Sequence, residues 1–306
     1  MPDVTTIIPT MAEEKRRHSL LRAIESILAA SVNPVQILVV VNGNRRSPEV
    51  LGKLRALDSV SILSLETGSL PLAILAGRRA VQTPYFCFLD DDDEYLPHAI
   101  DLRLAPMRSN EKLDFVVSNG YRCIAGNEMV CFSELDHVAS SPFQALFKEN
   151  WLASCGSLFR TDRVGAEYFE DPHALVEWTW LAFKLCMDKK NIGVVDAPTF
   201  RIHDTPDSAS KSTDYSAAMH PLYHRMLASQ PPRLIVSIIR SRIGSLLHSE
   251  ADAFRKQGKF LEAWGAHLKS LCYPRGWRYL AFSRHLLSIR RQYPWQTDSN
   301  QGNTDR

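Results

Sequence analysis

The sequence predicts an α/β chain built on a mostly parallel, doubly wound sheet. Three observations carry this. Short β-branched apolar runs alternate with helix-spaced segments from Val4 to Leu89. Two of the strand-like runs, Ile37 to Val41 and Tyr85 to Leu89, are apolar throughout, as parallel strands covered on both faces require. The last of them runs straight into Asp90, Asp91, Asp92, Asp93 and Glu94.

In chain order, Val4 to Pro9 reads as a buried strand ended by proline, and Arg17 to Ala30 follows with Leu20, Leu21, Ile24, Ile27 and Leu28 at helical spacing. Gln36 to Val41 is a β-branched run closed by Asn42-Gly43-Asn44. Pro48 to Leu57 is helix-like, Val60 to Leu65 a third strand, Pro71 to Val81 the next helix, and Tyr85 to Leu89 a strand buried on both faces. After Pro97 the pattern becomes α+β: a helix near His98 to Met107, strands near Phe115 to Asn119 and Met129 to Phe132, and a helix near Phe143 to Glu149. Two amphipathic stretches, Leu234 to Leu247 and Ala251 to Leu271, follow Pro231-Pro232; Gly258 interrupts the second, so a helical hairpin is expected.

The 306 residues are 45% hydrophobic and 23% charged, which suits one large domain with an appendage and argues against a disordered chain. The expected divisions are a catalytic domain over 1–225, a basic amphipathic helical region over 231–292 and a disordered tail over 293–306. The formal charge of +2 makes no field for nucleic acid. From Pro231 onward, however, 13 basic residues face 5 acidic ones, +8, which leaves −6 for the body. Six scattered cysteines form no C-x-x-C pair and point to a reducing compartment. The longest apolar-rich runs, Ile37 to Val41 and Leu234 to Ile239, fall far short of the ~20 residues that span a bilayer, so a cytoplasmic protein is expected.

Five acidic side chains in a row repel one another unless solvent or a cation offsets them. A solvated turn capping the next helix is one reading. A metal site is the other, because in open α/β sheets ligands bind beyond the carboxyl ends of strands, and carboxylates on a D-x-D spacing can share Mg²⁺ or Mn²⁺ with the phosphates of a nucleotide. The cluster shows no cation of its own among its sequence neighbours.

These residues resemble the family 2 glycosyltransferases of the GT-A fold. Thr5 to Thr10 is similar to that family's S-V-I-I-P-T strand, Ile37 to Asn44 to its V-V-D-D/N-G-S segment, and Tyr85 to Pro97 to its Y-I-x-F-L-D-x-D-D-x-x-x-P segment. Trp151 to Val164, Glu177 to Trp180 and Arg201 to Ser210 resemble three later family segments, in family order. The resemblance implies a GT-A (Rossmann-like) domain with a C-terminal helical appendage. Its activity would be metal-dependent, inverting transfer of a hexosyl or N-acetylhexosaminyl group from a nucleotide-diphosphate sugar to a glycan or lipid-linked acceptor, as in cell envelope polysaccharide synthesis.

Residue by residue, the resemblance places Asp90 at the ribose or metal and Asp92 on the metal, with Asp93 in reserve. Pro9 and Thr10 would border the nucleoside, and Asn42 stands where many members carry an aspartate facing the base. Ala73-Ile74-Leu75 departs from the family's A-R-N, and Arg78 or Arg79 nearby would supply the missing cation for the donor. His203 is a metal or diphosphate ligand if the R-x-H element holds, otherwise a structural histidine. Asp204 to Ser212 is either a turn or a loop that closes over the diphosphate. Glu177 is the candidate base that takes the acceptor proton, against a plain helix N-terminal glutamate, and Asp171 is the fallback. The basic helices after Pro231, interleaved with Trp264, Tyr273, Trp277 and Tyr279, suit peripheral contact with the inner face of the plasma membrane, a packed appendage or an oligomer contact. Rival readings are a non-catalytic nucleotide-sugar-binding or scaffold relative, and a sugar nucleotidyltransferase, although the latter's Gly-rich phosphate loop is missing after the first strand.

Overall fold

The computed structural model describes residues 2–204 and 213–287. The expected loop over 205–212, Arg290, Arg291 and the expected tail over 293–306 lie outside the described residues.

The central strand β1 (Val4–Thr10) is buried at every position and runs parallel to β2 (Val35–Asn42) on one side and β4 (Tyr85–Phe88) on the other, with β3 (Val60–Leu65) parallel to β2. Three helices make the crossovers: α1 (Arg17–Ala29), α2 (Pro48–Arg55) and α3 (Leu70–Ala80). The last two start by the same device, a serine cap followed by proline in the first turn: Ser47 accepts from the Val50 N–H and Ser69 from the Leu72 N–H. Gly77 lets α3 settle on the sheet, since a Cβ there would come within 2.5 Å of Ile7 Cγ2 and 3.1 Å of Val40 Cγ2.

The second half begins with the two-residue strand β5 (Glu94–Tyr95) and α4 (Ala99–Ser109). It continues through β6 (Phe115–Ile124), β7 (Asn127–Val130), α5 (His137–Ser140), α6 (Pro142–Lys148), β8 (Ser157–Arg160), α7 (Glu167–Glu170), α8 (Glu177–Met187) and β9 (Ile192–His203). Among the described residues nine strands form one sheet, in the order β3-β2-β1-β4-β8-β6-β9-β5 with β7 paired to β6. The first four strands are parallel; β8 then runs antiparallel to both β4 and β6, so the sheet as a whole is mixed. Phe159 of β8 stacks on Phe86 of β4 at 5.0 Å and on Phe115 of β6 at 5.6 Å, which knits the two halves by aromatic burial. The strand expected near Met129 to Phe132 lies earlier, at Asn127–Val130; beyond it the Cys131 N–H still bonds the Gly120 carbonyl at 2.8 Å, but Phe132 pairs with the Asn119 side chain instead of continuing the backbone ladder.

The chain divides into two compact units, Met1–Leu222 and Tyr223–Arg306, with α9 (Thr213–Ala228) carrying it across the division. In the second unit α10 (Arg233–Lys256) packs on α11 (Phe260–Leu271), followed by a 3₁₀ segment (Gly276–Phe282) and α12 (Ser283–Leu287). The hairpin bends at Gly258, whose φ of +76° lies in the left-handed region. The break expected between Leu247 and Ala251 is absent, because His248-Ser249-Glu250 contains no residue that stops a helix. Among the described residues no helix is long and apolar enough to cross a membrane.

Candidate functional site

The carboxyl ends of β1, β2 and β4 meet at one edge of the sheet, where parallel α/β folds open a crevice. Pro9 and Thr10 close β1. The Thr10 hydroxyl donates to Asp91 Oδ2 at 2.6 Å and accepts from the Ala12 N–H at 2.9 Å, so the first strand is tied directly to the acidic loop. Asn42, buried at the end of β2, donates its side-chain N–H to the Thr10 carbonyl at 3.0 Å.

The loop after β4 is not a solvated turn. Asp91 and Asp93 are buried, and Arg16 Nη1 lies 2.8 Å from both Asp91 Oδ1 and Asp92 Oδ2. The expectation of a cluster with no cation of its own is therefore corrected: a guanidinium from the turn before α1 already pairs with two of its carboxylates, offsetting one of their two charges. Burial works against that guanidinium, yet the charges of Asp91 and Asp92 outweigh it and hold Arg16 above its ordinary value. Arg22 adds a bond to the Asp92 carbonyl at 2.9 Å.

Asp90 and Asp93 make no side-chain bond to Arg16 and find other partners. Burial pushes the Asp90 carboxyl up to about 6, with the charges of Asp92 and Asp91 acting in the same direction and the Ser154 hydroxyl, 2.7 Å from Oδ2, opposing. Burial likewise raises Asp93 well above the carboxylate range, reinforced by Asp90 and Asp92. The His203 backbone N–H donates to Asp93 Oδ1 at 3.0 Å, while its ring Nε2 lies 2.5 Å from Glu94 Oε1. His203 thus joins the cluster through β9, with its ring engaged by Glu94, a residue that sequence reasoning assigned no part.

Ser154 is also missed by sequence reasoning, as is the residue that fixes its segment. Arg103, fully buried on α4, donates through Nη1 to the Cys155 and Ser157 carbonyls at 3.0 Å each and stacks over Tyr95 at 4.4 Å. Ser154 lies in the Trp151 to Val164 segment that the family resemblance singled out, but nothing along the chain ties it to Asp90 or marks Arg103, since both contacts join distant parts of the chain.

Beside Ser154 opens a cavity of about 550 Å³, lined among others by Arg122, Met129, Leu175, Glu177, Trp178 and Ser154 itself. Glu177 stands at the first turn of α8, accepts from the Leu175 N–H at 3.0 Å, and is raised by burial above its ordinary value. Ser154 therefore touches Asp90 and also faces the cavity that holds Glu177. Asp171 is exposed and lies outside the cavity wall; its carbonyl accepts from Trp180 Nε1 at 2.8 Å. Arg78 is also placed elsewhere: Nε and Nη2 donate to the Val164 carbonyl, Nη2 to the Thr161 carbonyl at 2.6 Å, and the guanidinium lies over Phe86 at 4.5 Å. Its donors hold the turn after β8 instead of facing the acidic loop.

Among the described residues no three His, Cys, Asp or Glu side chains gather as a ready cage for a metal. The donor chemistry nevertheless fits a hard cation. Mg²⁺ is typically held by one or two carboxylates with water and substrate phosphates completing its shell, and Asp90 and Asp92 supply two carboxylates, the Asp90 charge being disfavoured by burial and by its neighbour Asp92 until a cation offsets it.

Residues 5–134 match the family model described as "Glycosyl transferase family 2". Uncharacterised glycosyltransferases of Rickettsia prowazekii and Rickettsia typhi are each 28% identical to this chain over 123 residues, 40% of it; the chain spans 37% of the length of these relatives. Among solved structures, S. aureus TarS 1-349 in complex with UDP-GlcNAc superposes with a TM-score of 0.59 at 15% identity, covering 89% of this chain and 81% of that one. The same protein in complex with UDP superposes at 0.54 and 13%, over 85% and 75%. At such identities the likeness is one of fold.

Proposed function

We propose that this chain, a family 2 glycosyltransferase of the GT-A fold, moves a hexosyl or N-acetylhexosaminyl group from a nucleoside-diphosphate sugar to a hydroxyl of a glycan or lipid-linked acceptor, with inversion at the anomeric carbon. The observation that supports it is the juxtaposition, through Ser154, of a buried acidic loop at the strand ends with a cavity carrying one raised carboxyl, Glu177. A donor on one side and an acceptor on the other need this arrangement. The complexes of TarS with UDP and UDP-GlcNAc support a uridine diphosphate donor.

Pro9, Thr10 and Asn42 border the nucleoside. Asp90 and Asp92 would hold Mg²⁺ or Mn²⁺, with Asp93 and His203 behind them. Bound there, the metal supplies Lewis-acid stabilisation of the leaving diphosphate. Glu177 takes the proton from the acceptor hydroxyl; burial raises its basicity for that task, and Leu175 N–H orients it. A lipid-linked acceptor in envelope synthesis would bring the protein to the inner face of the plasma membrane.

Arg16 favours a second reading, a non-catalytic nucleotide-sugar-binding relative, because it already pairs with Asp92. A screen of donor hydrolysis across UDP-sugars, with Mn²⁺ or with chelator, separates the two. Metal-dependent release of UDP is expected, and it should vanish in Asp92→Asn. Metal-dependent binding without turnover of any donor or acceptor would select the second reading.

A further inference from the structure

Helix α11 is built inside out. Ala263, Ala266, His267 and Ser270 are its buried side. Roughly 180° round the helix from them, at about 100° per residue, stand Leu261, 87% exposed, and Leu268, 55% exposed. In the 3₁₀ segment and α12, Trp277, 71% exposed, and Leu280 and Leu287 are likewise exposed. A helix of a soluble domain normally buries its large apolar residues and shows small or charged ones to water. Between Gly258 and Leu287 the chain also carries five Lys or Arg side chains, every one exposed, against a single acidic residue, Glu262.

We propose that the outer face of α11, the 3₁₀ segment and α12 is a membrane-docking face. It seats Leu261, Leu268 and Trp277 at the boundary between headgroups and acyl chains of an anionic bilayer, with the surrounding cations on lipid phosphates. The charge selects the occupant. A second copy of the chain would cover the leucines but set cations against cations, whereas an anionic lipid surface satisfies both the apolar and the cationic part. A soluble polyanion would meet the charges and leave the leucines in water. This surface stands independently of the transfer chemistry.

Flotation of the full chain tests it, with vesicles of phosphatidylglycerol mixed into phosphatidylcholine and with phosphatidylcholine alone. The chain should float with the anionic vesicles at low salt and stay behind with the neutral ones. Tryptophan fluorescence should be quenched by brominated lipid, and much of that quenching should disappear in Trp277→Phe. The double variant Leu261→Ser, Leu268→Ser should partition about tenfold more weakly, with an unchanged circular dichroism spectrum because both residues face solvent. Failure to float on anionic vesicles would overturn the proposal. So would a double variant that floats like the parent, since charge alone would then account for binding. A parent that sediments as a dimer, converted to monomer by the double variant, would assign the face to a second copy.

Discussion

Arg16 shares one guanidinium nitrogen between two carboxylates, and so offsets part of the charge of the acidic loop before any ligand arrives. A divalent cation bound by Asp92 must compete with it. Removing the guanidinium while keeping an apolar stem, Arg16→Met, is therefore expected to raise Mn²⁺ affinity several-fold, about 1 kcal/mol of relieved competition, and to lower the melting temperature in chelator, where the loop loses its counter-ion. Calorimetric titration of Mn²⁺ reads the first effect and a melt in EDTA the second; weaker Mn²⁺ binding in the variant would mean that Arg16 supports the ligand set instead of competing with it. Glu177 is argued from protonation. Its value is raised by burial, and a base works only when deprotonated, so kcat/KM should climb with pH through a limb lying above the ~4.3 of an ordinary glutamate. Glu177→Gln should cut transfer by ~10²–10⁴-fold, abolish that limb and leave donor binding unchanged, while the exposed Asp171 should tolerate Asp171→Asn. An unchanged pH profile in Glu177→Gln would assign the base elsewhere.

At the scale of elements, the α10–α11 hairpin holds two histidines in an aromatic setting. His248 stacks on Tyr279 at 4.1 Å, with Phe282 edge-on at 4.8 Å, and His267 bonds through Nε2 to Ser283 Oγ at 2.8 Å. Neither Nδ1 has a partner. Burial lowers both rings below the ordinary histidine value; nearby Asp252 opposes this for His248, and His248 adds to it for His267. Native rings with lowered values bind fewer protons than unfolded ones, so the two histidines contribute stability that is lost as pH drops below about 6.5, opposite in sign to the raised Asp90, Asp93 and Glu177. The contribution is read as a difference: against the parent, melts of His248→Phe, which keeps the ring stack without the titration, should lose less stability on acidification across that range. An equal slope in the variant would place the pH dependence in other groups. The same hairpin shows why element ends are harder to read than elements: α10 continues through Leu247 to Lys256 because helix propensity offers no stop there, and the bend waits for Gly258.

For the whole molecule, what the sequence determined is what depends on neighbours along the chain. Strands from Val4 to Leu89 and the helices between them are legible because a strand of the sheet needs a run rich in apolar and β-branched residues, unbroken in Ile37 to Val41 and Tyr85 to Leu89, and a crossover helix needs its 3.6-residue stripe. The acidic loop is legible for the same reason, as five carboxylates directly after such a strand. Tertiary structure alone decided the rest. Strands of two and four residues, such as β5 and β8, are too short to show a period, and the direction of β8 depends on the path that brings it between β4 and β6. Arg16 reaches Asp91 and Asp92 across 75 and 76 residues, and Ser154 reaches Asp90 across 64. Arg78, a cation on the right helix by sequence, spends its donors on carbonyls past β8. In α11 the sequence sets out an amphipathic helix with leucines and small residues on opposite sides, and only the packing decides which side is buried: here the alanines and His267 fit closely on α10 and its followers, so the leucines are left facing water.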